Sequence, residues 1–498
     1  MPHARTESLA VLILAFGPAT FAQEQPPAFE AGGIVLEELT IPLRDGGEVI
    51  VDRGVLYTPI VRANPDSATI EVEFHRFRTT HEGEARPPIF RLHGGPGWPG
   101  PGGALQKPGY YEDNVQELAQ VADVVLVGQR GIGSSKPNTV CRGPKWAAVD
   151  APTDQAKSDA LLAKACEQCK AHWEEQGLDL AGLNVIEAAA DVVEIATALG
   201  YPKITIMGGS FGSHWGMTIM RYHEDRVARA ILSGMEGPDQ TYDMPSFVLN
   251  SLKRIAAAAE ASDELYPYIP EGGLIQAFEQ VIAIVAEDPV LVTLGKLEVL
   301  LDAPRMRDLA LGYTGRTSSR RGARTWPADI IALAAGDYRE AAKATAQRNY
   351  SFGFPTASFF MLDCGSGISA ERLAQLLADP AAEIVGPLGG FYETTCAVWD
   401  SDVGDDFRTD FETDIPTVIV HGTWDTSTPF ENAVELAPCF TRSKFVVVEG
   451  GSHGALGEAR RASESFHAAL MKFVATGDLE GLPELVELPP LDWAIPGE

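Results

Sequence analysis

Apolar and polar residues alternate with a period of two along residues 35–41, 49–57 and 69–77, and turn residues separate the three runs. That period puts one side of each run inside and the other in water, so this section predicts a small antiparallel N-terminal sheet. The pattern then changes. Residues 88–93, 123–127, 203–208, 227–233, 417–420 and 445–448 form short runs that are apolar almost throughout. Strands of that kind are covered on both faces, which predicts a mostly parallel sheet layered between helices, an α/β fold.

Helical periods fill the intervals. Residues 184–199 place Ile186, Ala189, Ala190, Val193, Ala196 and Leu199 on one face, with Asn184 and Glu187 spaced to cap the start and Gly200 placed to stop the end. From 238 to 414 the strand rhythm gives way to helical patterns at 247–261, 274–286, 329–333 and 370–377. That stretch is far longer than a crossover helix. It reads as a mainly helical cap domain inserted after the sixth core strand, between a first core part at 23–237 and a second at 415–498. A helical pattern at 459–474 and a Pro-rich tail close the chain.

A hydrophobic share of 45% and a charged share of 22% over 498 residues belong to an ordinary globular chain. The formal charge of −30 repels nucleic acid and anionic membranes, so neither is an expected partner. Residues 1–22 carry His3 and Arg5, an apolar run from Leu9 to Phe16 and small residues ending in Ala22, the order of a signal peptide cleaved after Ala22. No later run approaches the roughly 20 apolar residues of a spanning helix, so no stable membrane insertion is expected. The chain reads as secreted or periplasmic. Six cysteines, Cys141, Cys166, Cys169, Cys364, Cys396 and Cys439, fit an oxidising compartment and up to three disulfides, with 15 possible connectivities. Cys166 and Cys169 have redox-motif spacing in a charged helical stretch, where structural bonding is the expectation.

Candidate chemistry starts at Gly208-Gly209-Ser210-Phe211-Gly212, a G-x-S-x-G pentapeptide between an apolar strand and a helix. Glycine two residues before and two after the serine suits a strained turn that lifts the hydroxyl clear of the sheet. Two later strands end in Asp425 and in the glycine-lined His453 loop. A serine hydroxyl needs an imidazole to take its proton, and the imidazole needs a carboxylate to orient it, so Ser210, Asp425 and His453 form a candidate triad. Asp400, Asp402, Asp405, Asp406, Asp410 and Asp414 precede the strand and are weaker candidates for the acid. His93-Gly94-Gly95-Pro96-Gly97 follows another strand, and the amides of Gly95 and Phe211 are the candidate oxyanion donors. His93 reads as structural.

These motifs resemble the proline iminopeptidase family of α/β-hydrolases, and the long chain, leader and extended cap resemble its secreted tripeptidyl-aminopeptidase-like branch. The resemblance covers most of residues 34–475 and is weakest in the cap. It implies an α/β-hydrolase fold and serine exopeptidase chemistry on free N-termini, with catalytic roles at Ser210, Asp425 and His453. The family carries Asp-Gln-Arg-Gly where this chain has Gly128-Gln129-Arg130-Gly131, and Ser134 stands where arginine is common. An exopeptidase also requires carboxylates for the substrate ammonium, with Glu236 one candidate among many acids. Arg316, Arg320, Arg321 and Arg324 form a basic cluster that reads as a solvated loop paired with nearby acids, or alternatively as a contact for an anionic substrate group. Trp98 is a candidate for the acyl pocket or for cap packing.

The combined expectation is a serine hydrolase acting on a small-molecule or short peptide substrate with a hydrolysable acyl bond, with no metal or organic cofactor. An aminopeptidase is favoured, a carboxylesterase is the alternative, and a silent binding protein of the same fold is a third reading. The sequence pattern leaves the oligomeric state open.

Overall fold

A computed structural model describes residues 32–64, 66–146, 148–351 and 354–497. The expected signal peptide lies outside these residues. Twelve described strands run in chain order: β1 Gly33–Pro42, β2 Glu48–Pro59, β3 Thr69–Phe77, β4 Ile89–Leu92, β5 Val124–Val127, β6 Ile204–Gly209, β7 Val227–Ser233, β8 Val290–Leu294, β9 Leu297–Leu301, β10 Thr417–Gly422, β11 Ser443–Glu449 and β12 Leu485–Glu487. Ten of them form one sheet in the order β1-β2-β3-β5-β4-β6-β7-β10-β11-β12. From β5 to β12 every neighbouring pair is parallel.

The alternating N-terminal runs are antiparallel as expected, but they do not make a sheet of their own. β3 pairs with β5 antiparallel, Phe74 opposite Val127, so the three strands extend the main sheet. Once one face of β3 is apolar, its free edge hydrogen bonds are best satisfied by the next strand of the core.

Both faces of the central strands are buried, which is why their runs lack alternation. Ile204 and Ile206 of β6 face the layer that holds the helices Val185–Ala198 and Phe211–Tyr222. Met207 faces the opposite layer with Phe466 and Phe473 of the helix Glu464–Thr476. Asn184 caps the helix Val185–Ala198 as expected, accepting from Glu187 N at 2.9 Å. The buried stripe is rotated from the predicted one: Val185, Ala188, Ala189, Asp191, Val192, Ile195 and Ala196 are buried, and Ile186 and Val193 only partly. Asp191 is the reason a hydrophobic count misses this face. Its carboxylate is buried against the guanidiniums of Arg130 (2.6 and 2.8 Å) and Arg62 (2.6 Å), and a charge buried this way is tolerated because it is paired.

Residues 234–416 leave the sheet between β7 and β10. Their helices include Pro245–Glu260, Gly273–Glu287, Arg320–Ala334, Ala357–Ser366, Ala370–Leu377 and Gly390–Trp399, and sequence period locates four of the six. The first three pack around Leu252, Phe278, Val281, Trp326 and Ile330, whereas Phe360, Met361 and Trp399 from the later ones join the core layer against the sheet. The β8–β9 hairpin interrupts a stretch whose pattern predicts mainly helices. Gly295, at φ +68°, makes its tight turn between two apolar runs only five residues long, too short for their period to stand out. An 18-residue window within Tyr266–Glu287 reaches a mean hydropathy of 1.2, but the α-helical part of that stretch is only Gly273–Glu287, and Leu274, Phe278 and Val281 are buried in the core around Trp326.

Cys141 bonds Cys169 and Cys364 bonds Cys396, while Cys166 and Cys439 are free thiols. The Cys166–Cys169 spacing therefore closes no redox pair. Burial pushes the Cys166 thiol up to about 11, which leaves it protonated and inert at neutral pH. Two disulfides fit a chain from an oxidising compartment.

Candidate active site

Ser210 sits between β6 and the helix Phe211–Tyr222 at φ 58° and ψ −137°, a strained conformation for a residue with a side chain. Its flanking glycines are steric necessities: a Cβ on Gly208 would lie 2.2 Å from Gly212 O, and one on Gly212 would lie 2.1 Å from Leu92 O. Ser210 N donates to Ser233 O of β7 at 3.0 Å, which ties the turn to the neighbouring strand end. The Phe211 amide opens the helix, where no earlier turn supplies it with an intrahelical acceptor.

Asp425 lies beyond the end of β10 and is fully buried. Its Oδ1 accepts from Ser427 N (2.8 Å) and Thr428 N (3.0 Å), and its Oδ2 accepts from Thr428 Oγ1 (2.9 Å). The same Oδ2 is 2.8 Å from His453 Nδ1, which must be the donor because the carboxylate only accepts. Burial alone would raise the Asp425 carboxyl and lower the His453 imidazole. Their pairing outweighs it, holding the carboxyl below and the imidazole above the ordinary values. Thr428, legible in the sequence only as a turn marker, is thus the third member of this hydrogen-bonded group. Gly234 links the histidine to the serine side: a Cβ there would meet His453 Cε1 at 3.0 Å, and its carbonyl accepts from Ser213 Oγ at 3.4 Å. Among the described residues no hydrogen bond joins Ser210 Oγ to His453; such contacts commonly tighten only when substrate is bound.

The His93–Gly97 loop lies against the serine. A Cβ on Gly94 would be 2.8 Å from Ser210 Cβ and 3.2 Å from its Oγ, and Gly95 adopts φ +112°. Gln129 clips this loop: its Oε1 accepts from Gly97 N at 2.8 Å, and its Nε2 donates to His93 O and Gly94 O at 3.2 Å. His93 stacks on Trp98 with ring centres 3.7 Å apart and bonds Tyr110 OH at 3.1 Å. Burial drives its imidazole well below the ordinary value, so it is a neutral packing group, and Trp98 packs on the loop it belongs to.

The departures from the family motif have local causes. A Cβ on Gly128 would lie 2.7 Å from Glu73 O, so β3 leaves no room for an aspartate. Ser134 Oγ occupies the space beside Gly100. Gly128→Asp is expected to cost about 1–3 kcal/mol through overpacking, read as a lower melting temperature with the fold retained. An unchanged melt would show that β3 yields.

Three further acids gather behind the serine. Glu236 N donates to Ser213 Oγ at 3.0 Å, and Ser213 Oγ donates to Ser210 O at 2.7 Å. Burial, reinforced by Asp363 and Asp243, pushes the Glu236 carboxyl well above its ordinary value. Burial also pushes Asp243 and Asp363 up to about 8, with the charge of Asp425 adding to the effect on Asp243. Tyr392 OH donates to Asp363 at 3.2 Å and its ring stacks on Tyr242 at 4.4 Å. Among the described residues no ion pair neutralises any of the three. Sequence reading reaches Glu236 and misses the other two, although Asp363 is the lone acid in the apolar run Ala357–Cys364. The cavity of about 610 Å³ lined by Ser246, Lys253, Glu279 and Asp379 contains none of these groups.

The basic cluster contacts carbonyls more than acids. Arg320 donates to Gly450 O and Pro489 O, and Arg324 donates to Asp492 O, with the Asp492 carboxylate 3.6 Å away. Of the six acids before β10, Asp402 and Asp405 pair with Arg408.

Residues 87–263 match the family model described as alpha/beta hydrolase fold. This chain has that fold. That range holds β4 to β7 and the elbow after β6, and residues 389–483 match a second model, described as TAP-like protein. It is 25% identical over 199 residues to the "Serine protease Hip1" of Mycobacterium tuberculosis and of Mycobacterium bovis, a match covering 37% of this chain and 36% of theirs. Among solved structures it is similar to an epoxide hydrolase from hot-environment metagenomes (13% identity, TM-score 0.35, 89% of this chain and 99% of that one). It is also similar to the serine hydrolase CCSP0084 of Cycloclasticus zankles (13% identity, TM-score 0.33, 89% and 100%).

Proposed function

We propose that this α/β-hydrolase is an exported serine aminopeptidase that releases N-terminal residues or short peptides through a Ser210-His453-Asp425 triad. Ser210 Oγ attacks the scissile carbonyl carbon and gives its proton to His453 Nε2, the ring nitrogen left free by the Asp425 bond. The Gly95 and Phe211 amides receive the oxyanion. His453 then protonates the departing amine, and water deacylates the serine by the same route in reverse.

The observation that carries the peptidase reading is the group Glu236, Asp243 and Asp363. These are sequestered carboxyls with no ion-pair partner among the described residues, close enough for Asp243 and Asp363 to raise Glu236, whose backbone amide is tied to the elbow through Ser213. An acid group of this kind is costly until a cation enters it, and the α-ammonium of a peptide supplies one. Asp243 and Asp363 both come from residues 238–414, so this stretch acts as the cap that selects substrate.

A panel of free-amine aminoacyl and tripeptidyl amides, N-blocked amides and short acyl esters tests the reading. Turnover of the free-amine amides, lost with fluorophosphonate labelling in Ser210→Ala, is the expected result. Rapid turnover of the esters alone would make the protein a carboxylesterase, and no turnover with no labelling would make it a binding protein.

A further inference from the structure

The turn at residues 316–320, which leads into the helix Arg320–Ala334, touches both loops that carry the base and its acid. Thr317 Oγ1 is 3.0 Å from Thr426 Oγ1, next in sequence to Asp425, and both side chains are buried. Ser318 O accepts from His453 N at 3.2 Å. Arg320 Nη1 donates to Gly450 O at 2.7 Å, its guanidinium lies 5.7 Å from the Trp424 ring centre, and its Nη2 donates to Pro489 O at 2.5 Å. The turn itself is tightly built. Ser319 Oγ accepts from Gly322 N at 3.1 Å, and a Cβ on Gly322 would lie 1.8 Å from Arg316 O.

We propose that residues Thr317, Ser318 and Arg320 are positioning residues for the Asp425–His453 pair, so that the inserted segment completes the catalytic base as well as covering it. This rests on the triad reading above. β10 and β11 pair directly only as far as Gly422 and Val448. Beyond that, Thr423 N bonds Val448 O and Trp424 N bonds Gly451 O, and there the backbone link between the two loops ends among the described residues. The residues that matter lie further out. Asp425 and His453 are joined to each other by side chains, and a 2.8 Å bond between two loop side chains persists only if both loop backbones hold their places. The inserted turn grips the acid loop through Thr317 and the histidine loop through Ser318 and Arg320, which fixes their separation. The basic cluster thereby acquires a role within the protein: Arg320 spans the histidine loop and the C-terminal tail.

The test uses the full chain and compares Thr317→Val, Thr317→Ser, Arg320→Met and Arg320→Lys, each checked for folding by circular dichroism and thermal melting. The readouts are the rate of fluorophosphonate labelling at Ser210 from pH 5 to 9, and kcat and KM on the best substrate of the panel. Loosening the Asp425–His453 contact lowers the His453 pKa, because Asp425 is what raises it. Thr317→Val and Arg320→Met are therefore expected to label about tenfold or more slowly at neutral pH, with the labelling midpoint moved to lower pH and kcat reduced at nearly constant KM. Thr317→Ser, which keeps the hydroxyl, should restore both rate and midpoint. Folded Thr317→Val and Arg320→Met proteins with wild-type rate and midpoint overturn the proposal. Should Thr317→Val not fold, the Arg320 pair decides: Lys retains charge but cannot reach both carbonyls, so it should fall between wild type and Met. A wild-type protein that fails to label, or labels equally as Ser210→Ala, overturns the triad reading itself.

Discussion

Asp425→Asn is expected to lower kcat by about four orders of magnitude, roughly 5.5 kcal/mol of transition-state stabilisation, while the protein stays folded. The hydrogen bonds around the side chain account for the size of the loss. The substituted amide would still accept from the Ser427 and Thr428 amides through one oxygen, as Oδ1 of Asp425 does. Its other position would be an NH2 group facing His453 Nδ1. That nitrogen would have to become the acceptor, which moves the ring proton to Nε2, the atom that must take the proton of Ser210. Steady-state turnover and single-turnover acylation of the purified variant measure the effect, and a kcat within about tenfold of wild type would show that Asp425 is not the orienting acid.

The second large effect concerns the sequestered acids. Glu236→Gln combined with Asp363→Asn is expected to raise KM for free-amine amides by about two orders of magnitude or more, the scale of removing one partner from a buried charge pair. Hydrolysis of short acyl esters, which carry no ammonium, should change only severalfold. Equal losses on amides and esters would mean that the acids shape the serine site and do not bind an amine. The pH dependence has a definite sign. Asp243 and Asp363 hold their protons up to about 8, so the ionised forms that attract an ammonium accumulate as pH rises towards that value. His453, raised above its ordinary value, must also lose its proton as pH rises. Up to about pH 8, where the substrate's own α-ammonium starts to lose its proton, amide kcat/KM should therefore climb more steeply than ester kcat/KM, which lacks the ammonium-binding step.

The same acids tax stability. Between about pH 4 and 8 the unfolded chain has ionised Asp363 while the folded chain keeps it protonated, so stability falls as pH rises through that window. Asp363→Asn removes the titrating group and keeps an oxygen to accept from Tyr392. Its melting temperature should exceed that of wild type near the upper end of this window and approach it at the lower end. A variant that is both more stable and a poorer amide hydrolase is the expected signature of a residue held for binding.

Much of the frame is legible in the chain. The change from alternating to wholly apolar strands marks where the antiparallel section meets the parallel one, and Asn184 with Gly200 brackets a helix. Ser210, Asp425 and His453 each follow a strand, and in this topology strand ends converge. Those readings rest on local rules: side-chain period, turn sterics, and glycine where Gly208 and Gly212 leave no room for a Cβ. Asp191 escapes such rules because a buried charge breaks the apolar period, and only its partners from 130 and 62 explain it.

By itself, then, the sequence determined the α/β fold, most of the core strands and the glycine-flanked elbow at Ser210, because each depends on neighbours within a few positions. Only the tertiary structure decided what surrounds them. Gln129 clips the Gly95 loop from 34 residues away, Thr428 joins the acid and the base, and the turn at 316–320 reaches both of their loops. The acidity of Asp243 and Asp363 was likewise invisible, because a pKa depends on burial and on charges brought close by packing. An aspartate has the same letter in water and in a core.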